Sequence, residues 1–347
     1  MATEHKHSIG TTGRDYSTLQ AWEDACPANL VTADEYYLGE CYNDSEFTAA
    51  LVISGETTDA TRYIKLTVAA GQSFQDHADV RTNSLCYNQS NGVGVSVSVS
   101  WGQVFLIQCN YVKISRLQIR NTGTDFGKGV YSQGTYTTIE DCIVDVAVAG
   151  IAYYAVSSNA AGTLIVNPVI VMRGAGNGIY LESSTLVGAI IIKPSDVTPS
   201  GTGIIQEYNS TKILSSVILG FTTATAIATD NGSGYNATDL ASGLPGSTAN
   251  VYNVTYNQTT PFVDADKDSF DARAIAATAL AAAGYRDSTN APNDISGTAR
   301  ADPPTIGAWE LAAAGSAIKT IFDLAKASVK TVNDLAIASV KSWAGLE

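Results

Sequence analysis

Residues 114–120 read ISRLQIR, and a phrase of the same build returns four more times: IEDCIVD (139–145), LIVNPVI (164–170), LVGAIII (186–192) and ILSSVIL (213–219). The blocks align without gaps, with starts 25, 25, 22 and 27 residues apart. Position one is always Ile or Leu. Position six is Ile119, Val144, Val169, Ile191 or Ile218, and position four is Leu117, Cys142, Asn167, Ala189 or Ser216. Plain alternation along a strand would place position one on the face opposite four and six. A bend near position three resets that parity, so that one, four and six all point inward.

Between the blocks lie Gly/Asn/Ser-rich turns and second short β-prone runs at Gly129-Val130-Tyr131, Gly150-Ile151-Ala152, Gly178-Ile179-Tyr180 and Gly203-Ile204-Ile205. Repeats of this length, with short strands and no helical pattern between them, describe an all-β parallel solenoid whose coils stack about 4.8 Å apart. A helix-crossover βαβ fold does not fit linkers so poor in helical periodicity. A β-sandwich is the structural alternative, although it does not require regular spacing between similar blocks.

Outward from these blocks, β-prone runs at 36–38, 51–54, 63–68 and 94–99 extend the body towards the N-terminus. Ser17-Thr18-Leu19-Gln20 has capping-box spacing, and Leu19, Trp22 and Ala25/Cys26 form a helical stripe that stops at Pro27. Residues 271–283, DARAIAATALAAA, predict a helix ended by Gly284. A solenoid end exposes apolar atoms and unpaired edges. The segments around Trp22 and Trp309 are the expected caps. The expected divisions are an N-terminal strand and helix cap over 1–35, a β-helix body over 36–262, the Ala-rich helix and C-terminal cap over 263–310, and a tail over 311–347.

That tail, IKTIFDLAKASVKTVNDLAIASVKSWAGLE (318–347), repeats every eleven residues. On a helix, Ile318, Ile321, Leu324, Val329, Val332, Leu335, Val340, Trp343 and Leu346 form one apolar stripe, nearly straight at 3.67 residues per turn. Such a stripe needs a partner, in cis or in trans, and predicts an attachment or oligomerisation element.

The chain of 347 residues carries a net charge of −13, which argues against nonspecific nucleic-acid binding. Its apolar content argues against wholesale disorder. The N-terminal ten residues lack a signal-peptide h-region and no run is long enough to span a membrane, so synthesis in a cytoplasm is expected. Five scattered cysteines without ligand spacing predict buried free thiols rather than a disulfide scaffold or a zinc site. No cofactor is expected.

Three constellations could carry chemistry. Glu140, Asp141 and Asp145, with Arg116 and Arg120 one coil earlier, have the residue types of a glycoside-cleaving site, where paired carboxylates protonate a leaving group and activate water. The block alignment also puts Arg116 in the column of Asp141 and Arg120 in that of Asp145, so two inter-coil ion pairs explain the same residues without catalysis. Asp264, Asp266 and Asp268 alternate like the start of a calcium loop but lack its Gly and its Glu at position twelve. Tyr131, Tyr153, Tyr154, Tyr180 and Tyr208 could form an aromatic strip for sugars, or simply be half-buried strand aromatics.

GRDYSTLQAWEDA (13–25) resembles the opening of right-handed parallel β-helix proteins of the pectin-lyase-like class, common among phage and metagenomic sequences. SFDARAIAATALAAAG (269–284) and DISGTARADPPTIGAWE (294–310) resemble the terminal cap of that group, through Asp294, Ile295, Gly297, Arg300, Ile306, Gly307, Ala308 and Glu310. The closing repeat resembles short repeats of tailed-phage virion proteins. Together these imply a noncatalytic virion protein, as a head or tail decoration, fibre or spike. They also imply a homo-oligomer, with a trimer as the leading form, joined to other virion proteins by its tail. The alternatives are a tailspike-like glycan depolymerase and a carbohydrate-binding host-adhesion module. The Asn-x-Asp, Asp-Asp and Gly-His-Gly set of the hydrolases on this fold does not align, and His5, His7 and His77 all precede the repeated coils.

Overall fold

The computed structural model describes residues 2–148, 151–230, 232–275 and 278–311, apart from the side chains of 151–153, 207–210 and 227–230. The attachment residues of the tail, from Ile318 to Leu346, therefore lie outside the described residues.

Strands pair in parallel with strands one coil away, in three sheets. The first runs from Thr3–Ile9 through Glu35–Cys41, Ile64–Val68, Val112–Ser115, Thr138–Glu140, Leu164–Val166 and Thr185–Val187 to the far end of the long strand Thr202–Leu214. The second stacks Gly94–Val97, Gln118–Asn121, Ile143–Val146, Val169–Met172, Ile190–Ile192, Val217–Leu219 and Ala237–Thr238. The third stacks Leu51–Ile53, Gln103–Ile107, Lys128–Ser132, Ile151–Ser158, Ala175–Leu181, Thr202–Leu214 and Thr223–Asp230. Parallel crossovers of this kind are right-handed, and the chain is a right-handed parallel β-helix.

The bend at position three is a backbone fact. Arg116, Asp141, Asn167, Gly188 and Ser215 all have positive φ, between 49° and 66°. Each donates its N–H to a carbonyl of the next coil, as Asn167 does to Val187 at 2.9 Å. After this left-handed residue the chain enters the second sheet with its parity reset. Position one (Ile114, Ile139, Ile165, Leu186, Ile213) and position six (Ile119, Val144, Ile170, Ile191, Ile218) then fill one interior, fully buried.

Two registers differ from the sequence alignment. The third block begins at Ile165, not Leu164, because Ile165 pairs with Ile139 and with Leu186. In the third sheet Val156, not Ile151, pairs with Val130 and Ile179. The preceding residues are then Gly129, Ala155, Gly178 and Gly203, a column where space is short. A Cβ on Gly203 would sit 2.2 Å from Cγ2 of Ile218, and one on Gly178 2.6 Å from Cγ2 of Ile191.

At the N-terminal end a short helix, Leu19–Glu23, is capped by the Thr18 side chain, which accepts the Ala21 N–H. It buries Leu19 and Trp22, and the indole stacks on Tyr37 at 5.4 Å. Leu244, with Leu240 and Tyr252, adjoins the interior beyond the last coils. All five cysteines are free, with Cys41, Cys109 and Cys142 buried.

The C-terminal segment corrects two expectations. Residues 271–283 do not open as a helix: Asp271–Ala274 is a strand, antiparallel to Phe262–Asp264. Tertiary contacts override alanine propensity here. The Asp271 carboxylate accepts the Leu85 N–H, Ala272 donates to the Leu85 carbonyl, and Ala272 is fully buried. Nor does the Trp309 segment sit on a solenoid end. Residues 280–310 run along the flank as a strap, from Ser215 on one of the later coils back to Gln75 and Arg81 beside the early ones. The strap explains why Ile143, Val169, Ile190 and Val217, on the outer face of the second sheet, are buried as deeply as the interior. A Cβ on Gly307 would lie 3.0 Å from Ile190 and 3.1 Å from Val217.

Candidate functional site

The left-handed column is where the strap docks. Asn167 Nδ2 donates to the Asn293 carbonyl and to Asp141 Oδ1, both at 2.9 Å, while its Oδ1 accepts from Arg300 Nη2 at 2.7 Å. Gly307 N donates to the Ser215 carbonyl at 2.7 Å, and Ser215 Oγ exchanges hydrogen bonds with the backbone of Tyr285. Further on, buried Asp294 accepts from Arg81, from the Ser296 and Thr298 N–H groups and from Glu310 N. The Arg81 guanidinium lies 3.8 Å over the ring of Trp309. Glu310 in turn accepts from Thr305 N and Oγ1. The residues of the terminal phrase are thus a hydrogen-bonded clasp, closed by Arg81 and Gln75 from a loop more than two hundred positions away.

The carboxylates with glycosidase-like composition fall within or beside this construction and do not share a cleft. Asp141 sits on the left-handed corner, and Asp145 on the outer face of the second sheet. Glu140 belongs to the first sheet, beside Ser115 and Val166. Burial pushes the Asp141 carboxyl up to about 6, against the hydrogen bonds from Asn167 and Gln75 that favour its charged form. Asp145 has no exposed surface. It accepts from Arg173 Nε at 2.8 and 3.1 Å and lies 3.1 Å from Arg120 Nη2. The column alignment brought Arg120 to Asp145, but it did not show Arg173. The other expected pair is replaced: Arg116 turns away from Asp141 to pair with Asp76 and to donate to Ser73 Oγ and Gln75 Oε1. The left-handed bend at both Arg116 and Asp141 points column neighbours outward at the corner, where the 73–76 loop intercepts the arginine.

Of the three aspartates at 264–268, Asp264 and Asp266 cap turns. Asp264 Oδ1 accepts the Asp266 N–H, Asp266 Oδ1 accepts the Asp268 N–H, and Asp264 Oδ2 accepts from Ser269. Among the described residues no group of three or more His, Cys, Asp or Glu is arranged to hold a metal ion.

Of the tyrosine strip, Tyr131 and Tyr180 do share an outward column of the third sheet, with Ser157 between them. Tyr131 is half-buried under Lys128, whose Nζ lies 3.9 Å from the ring centroid. Tyr180 is only 8% exposed, against the ring of Tyr154 at 5.3 Å. The side chains of Tyr153 and Tyr208 lie outside the described residues. A second tyrosine column went unread in the sequence. Tyr36 and Tyr63 stack at 5.2 Å, and Tyr111 and Tyr136 at 4.8 Å, at or just before the starts of successive strands of the first sheet. Its signal is positional: Tyr36, Tyr63 and Tyr111 each immediately precede an inward residue, Tyr37, Ile64 or Val112, all fully buried.

No helix among the described residues is long and apolar enough to cross a membrane. No protein-family model matches the chain, and no curated protein matches it. Among solved structures it is similar to the pectin methylesterase of Aspergillus niger in deglycosylated form, with a TM-score of 0.41, 10% identity, and coverage of 84% of this chain and 95% of that one. It is also similar to a pectate lyase, with a TM-score of 0.34, 11% identity, and coverage of 90% and 97%.

Proposed function

We propose that the chain is a noncatalytic β-helix of a tailed-phage virion, a head or tail decoration, fibre or spike. On this reading it assembles as a homo-oligomer, with a trimer as the leading form, and is attached to other virion proteins by its eleven-residue repeat. The observation that carries the noncatalytic reading is the fate of the carboxylates. Asp141 and Asp145 are engaged in hydrogen bonds and ion pairs that hold the corner and the flank together, and Asp145 is sealed from solvent. A general acid must reach the proton it transfers. The virion assignment rests on the resemblance of the terminal repeat.

Purified protein is incubated with capsular and lipopolysaccharide glycans of a host-range panel, and new reducing ends or unsaturated products are sought. Release of oligosaccharides, abolished in Asp141→Asn or Asp145→Asn with the fold intact, overturns the noncatalytic reading. Removal of residues 318–347 is expected to leave the body folded and to abolish both oligomer formation and incorporation into particles. An unchanged oligomer with undiminished incorporation sinks the attachment role.

A further inference from the structure

The strand Thr3–Ile9 is the outermost rung of the first sheet. It pairs with Glu35–Cys41 on one side, and on the other, among the described residues, it meets only Tyr16, which bridges to Ile9. Residues two apart on a strand share a face, so His5 and His7 stand side by side, opposite Tyr37 and Gly39 of the neighbouring coil. Their ring centroids are 4.6 Å apart, with planes tilted by 46°. The intervening Lys6 points to the other face, where it pairs with Glu40 at 2.8 Å, so its charge is matched there and not aimed at the imidazoles.

The rings rest on a fixed floor. Both pack against Tyr37, at 5.6 Å from His5 and 5.0 Å from His7, and His7 also packs against Tyr16 at 5.2 Å. Tyr37 is fully buried, and its hydroxyl donates to the Trp22 carbonyl at 3.1 Å. Glu35 Oε2 lies 3.3 Å from Nδ1 of His5. A carboxylate there holds the proton on Nδ1 and leaves the Nε2 lone pair free, the state in which a histidine ligates. Among the described residues neither ring nitrogen of His7 has a hydrogen-bond partner. Burial, and then the charge of His5, pushes the His7 imidazole below its ordinary range against the pull of Asp15, which favours the neutral ring that binds metals.

We propose that His5 and His7 chelate a borderline divalent transition-metal ion, such as Zn²⁺ or Ni²⁺, with Glu35 orienting His5 from behind. Imidazole nitrogen suits such ions, whereas Mg²⁺ and Ca²⁺ take oxygen ligands. Bond lengths of about 2.0–2.1 Å are reached by a turn of the His5 ring, whose side chain is 47% exposed. Two protein ligands leave the remaining positions to water, so the site is open and differs from a closed structural one. A net charge of −13 favours the approach of a cation. Both ligands converge only while residues 5–7 are extended. Bound metal therefore holds the edge strand in its sheet conformation and opposes fraying of that end. The inference goes beyond the proposed virion role and does not rest on it.

The test uses the full chain, stripped of metal with a chelator that is then removed, and titrated calorimetrically with Ni²⁺, Zn²⁺ and Ca²⁺. Oxygen is excluded so that the free thiols stay reduced. One Ni²⁺ or Zn²⁺ per chain is expected to bind, with Ca²⁺ at least tenfold weaker. His5→Gln and His7→Gln should each weaken binding at least tenfold, while His77→Gln, at a histidine elsewhere, leaves it unchanged. Glu35→Gln should weaken it by about 10–100-fold without changing the melting temperature of the metal-free protein. His5 is exposed, so its variant stays informative should His7→Gln fold poorly. The inference is overturned if neither transition-metal ion binds, or if Ca²⁺ binds equally well. It is equally overturned if affinity is undiminished in His5→Gln and in a folded His7→Gln.

Discussion

Asn167 combines a left-handed backbone, at φ 49°, with a side chain that ties together Asp141, Asn293 and Arg300. The two roles can be separated. Asn167→Gly keeps the backbone and loses only the side-chain bonds, at an expected cost of about 1–2 kcal/mol. Asn167→Val adds a β-branched residue in a conformation it resists, for about 1–2 kcal/mol more. Urea denaturation of both variants tests this, and equal losses would show that the backbone is not limiting. A second residue-scale effect concerns Glu23, whose carboxyl is pushed up from 4.5 to about 7, first by burial. The folded state then holds its proton more tightly than the unfolded chain does. Its contribution to stability is full below about pH 4.5 and is lost as pH rises through 7. Thermal melts between pH 4.5 and 8 should therefore show a decline that Glu23→Gln flattens.

The strands and corners show how far pattern can be read. Positions one and six of the repeated blocks point inward because the residue at position three is left-handed, and both the inward residues and the need for a bend were visible in the sequence. The register slip at the third block arose because Leu164 and Ile165 are both apolar, so hydrophobicity could not choose between them. The polar bend residues could have done so: aligning Asn167 with Asp141 and Gly188 places Ile165 correctly. The small-residue column was hidden for a related reason, since Gly150 mimicked a position that Ala155 occupies. That column makes a prediction. Gly203→Ala drives a methyl to 2.2 Å from Ile218 and 2.8 Å from the Ala224 carbonyl, for an expected loss of about 1–3 kcal/mol. Pairing it with Ile218→Leu, which has no Cγ2 methyl, should recover part of that loss, and chemical denaturation of the double-mutant cycle would detect the coupling. Trimming the inward chain alone, as in Ile191→Ala, should cost about 2–5 kcal/mol. The Ala-rich segment was misread because nothing local reports that Leu85 will pair with it.

Across the whole molecule, the strap and its clasp were legible only as a familiar phrase. Its partners, Gln75, Arg81 and the left-handed column, are contributed from far along the chain, and no local signal announces them. A solenoid of stacked coils is close to a one-dimensional system, in which each repeat feels only its neighbours and either end can fray alone. The strap adds contacts that skip over the stack, joining Ser215 to Tyr285 and Gly307, and Arg81 to Asp294 and Glu310. Early and late coils should then melt together, in one transition. Arg81→Ala removes the far anchor and leaves Asp294 buried without its cation, at about 3 kcal/mol. It should also split the calorimetric transition in two, whereas a single peak in the variant would show that the coils are coupled without the clasp. There is a consequence for synthesis as well. The segment that hides the apolar flank is made after every coil it covers, so a chain interrupted before residue 294 presents Val169, Ile190 and Val217 to its surroundings. Chain completion is thereby converted into surface chemistry: a finished molecule has these side chains buried, and an unfinished one is marked by its own stickiness for aggregation or proteolysis.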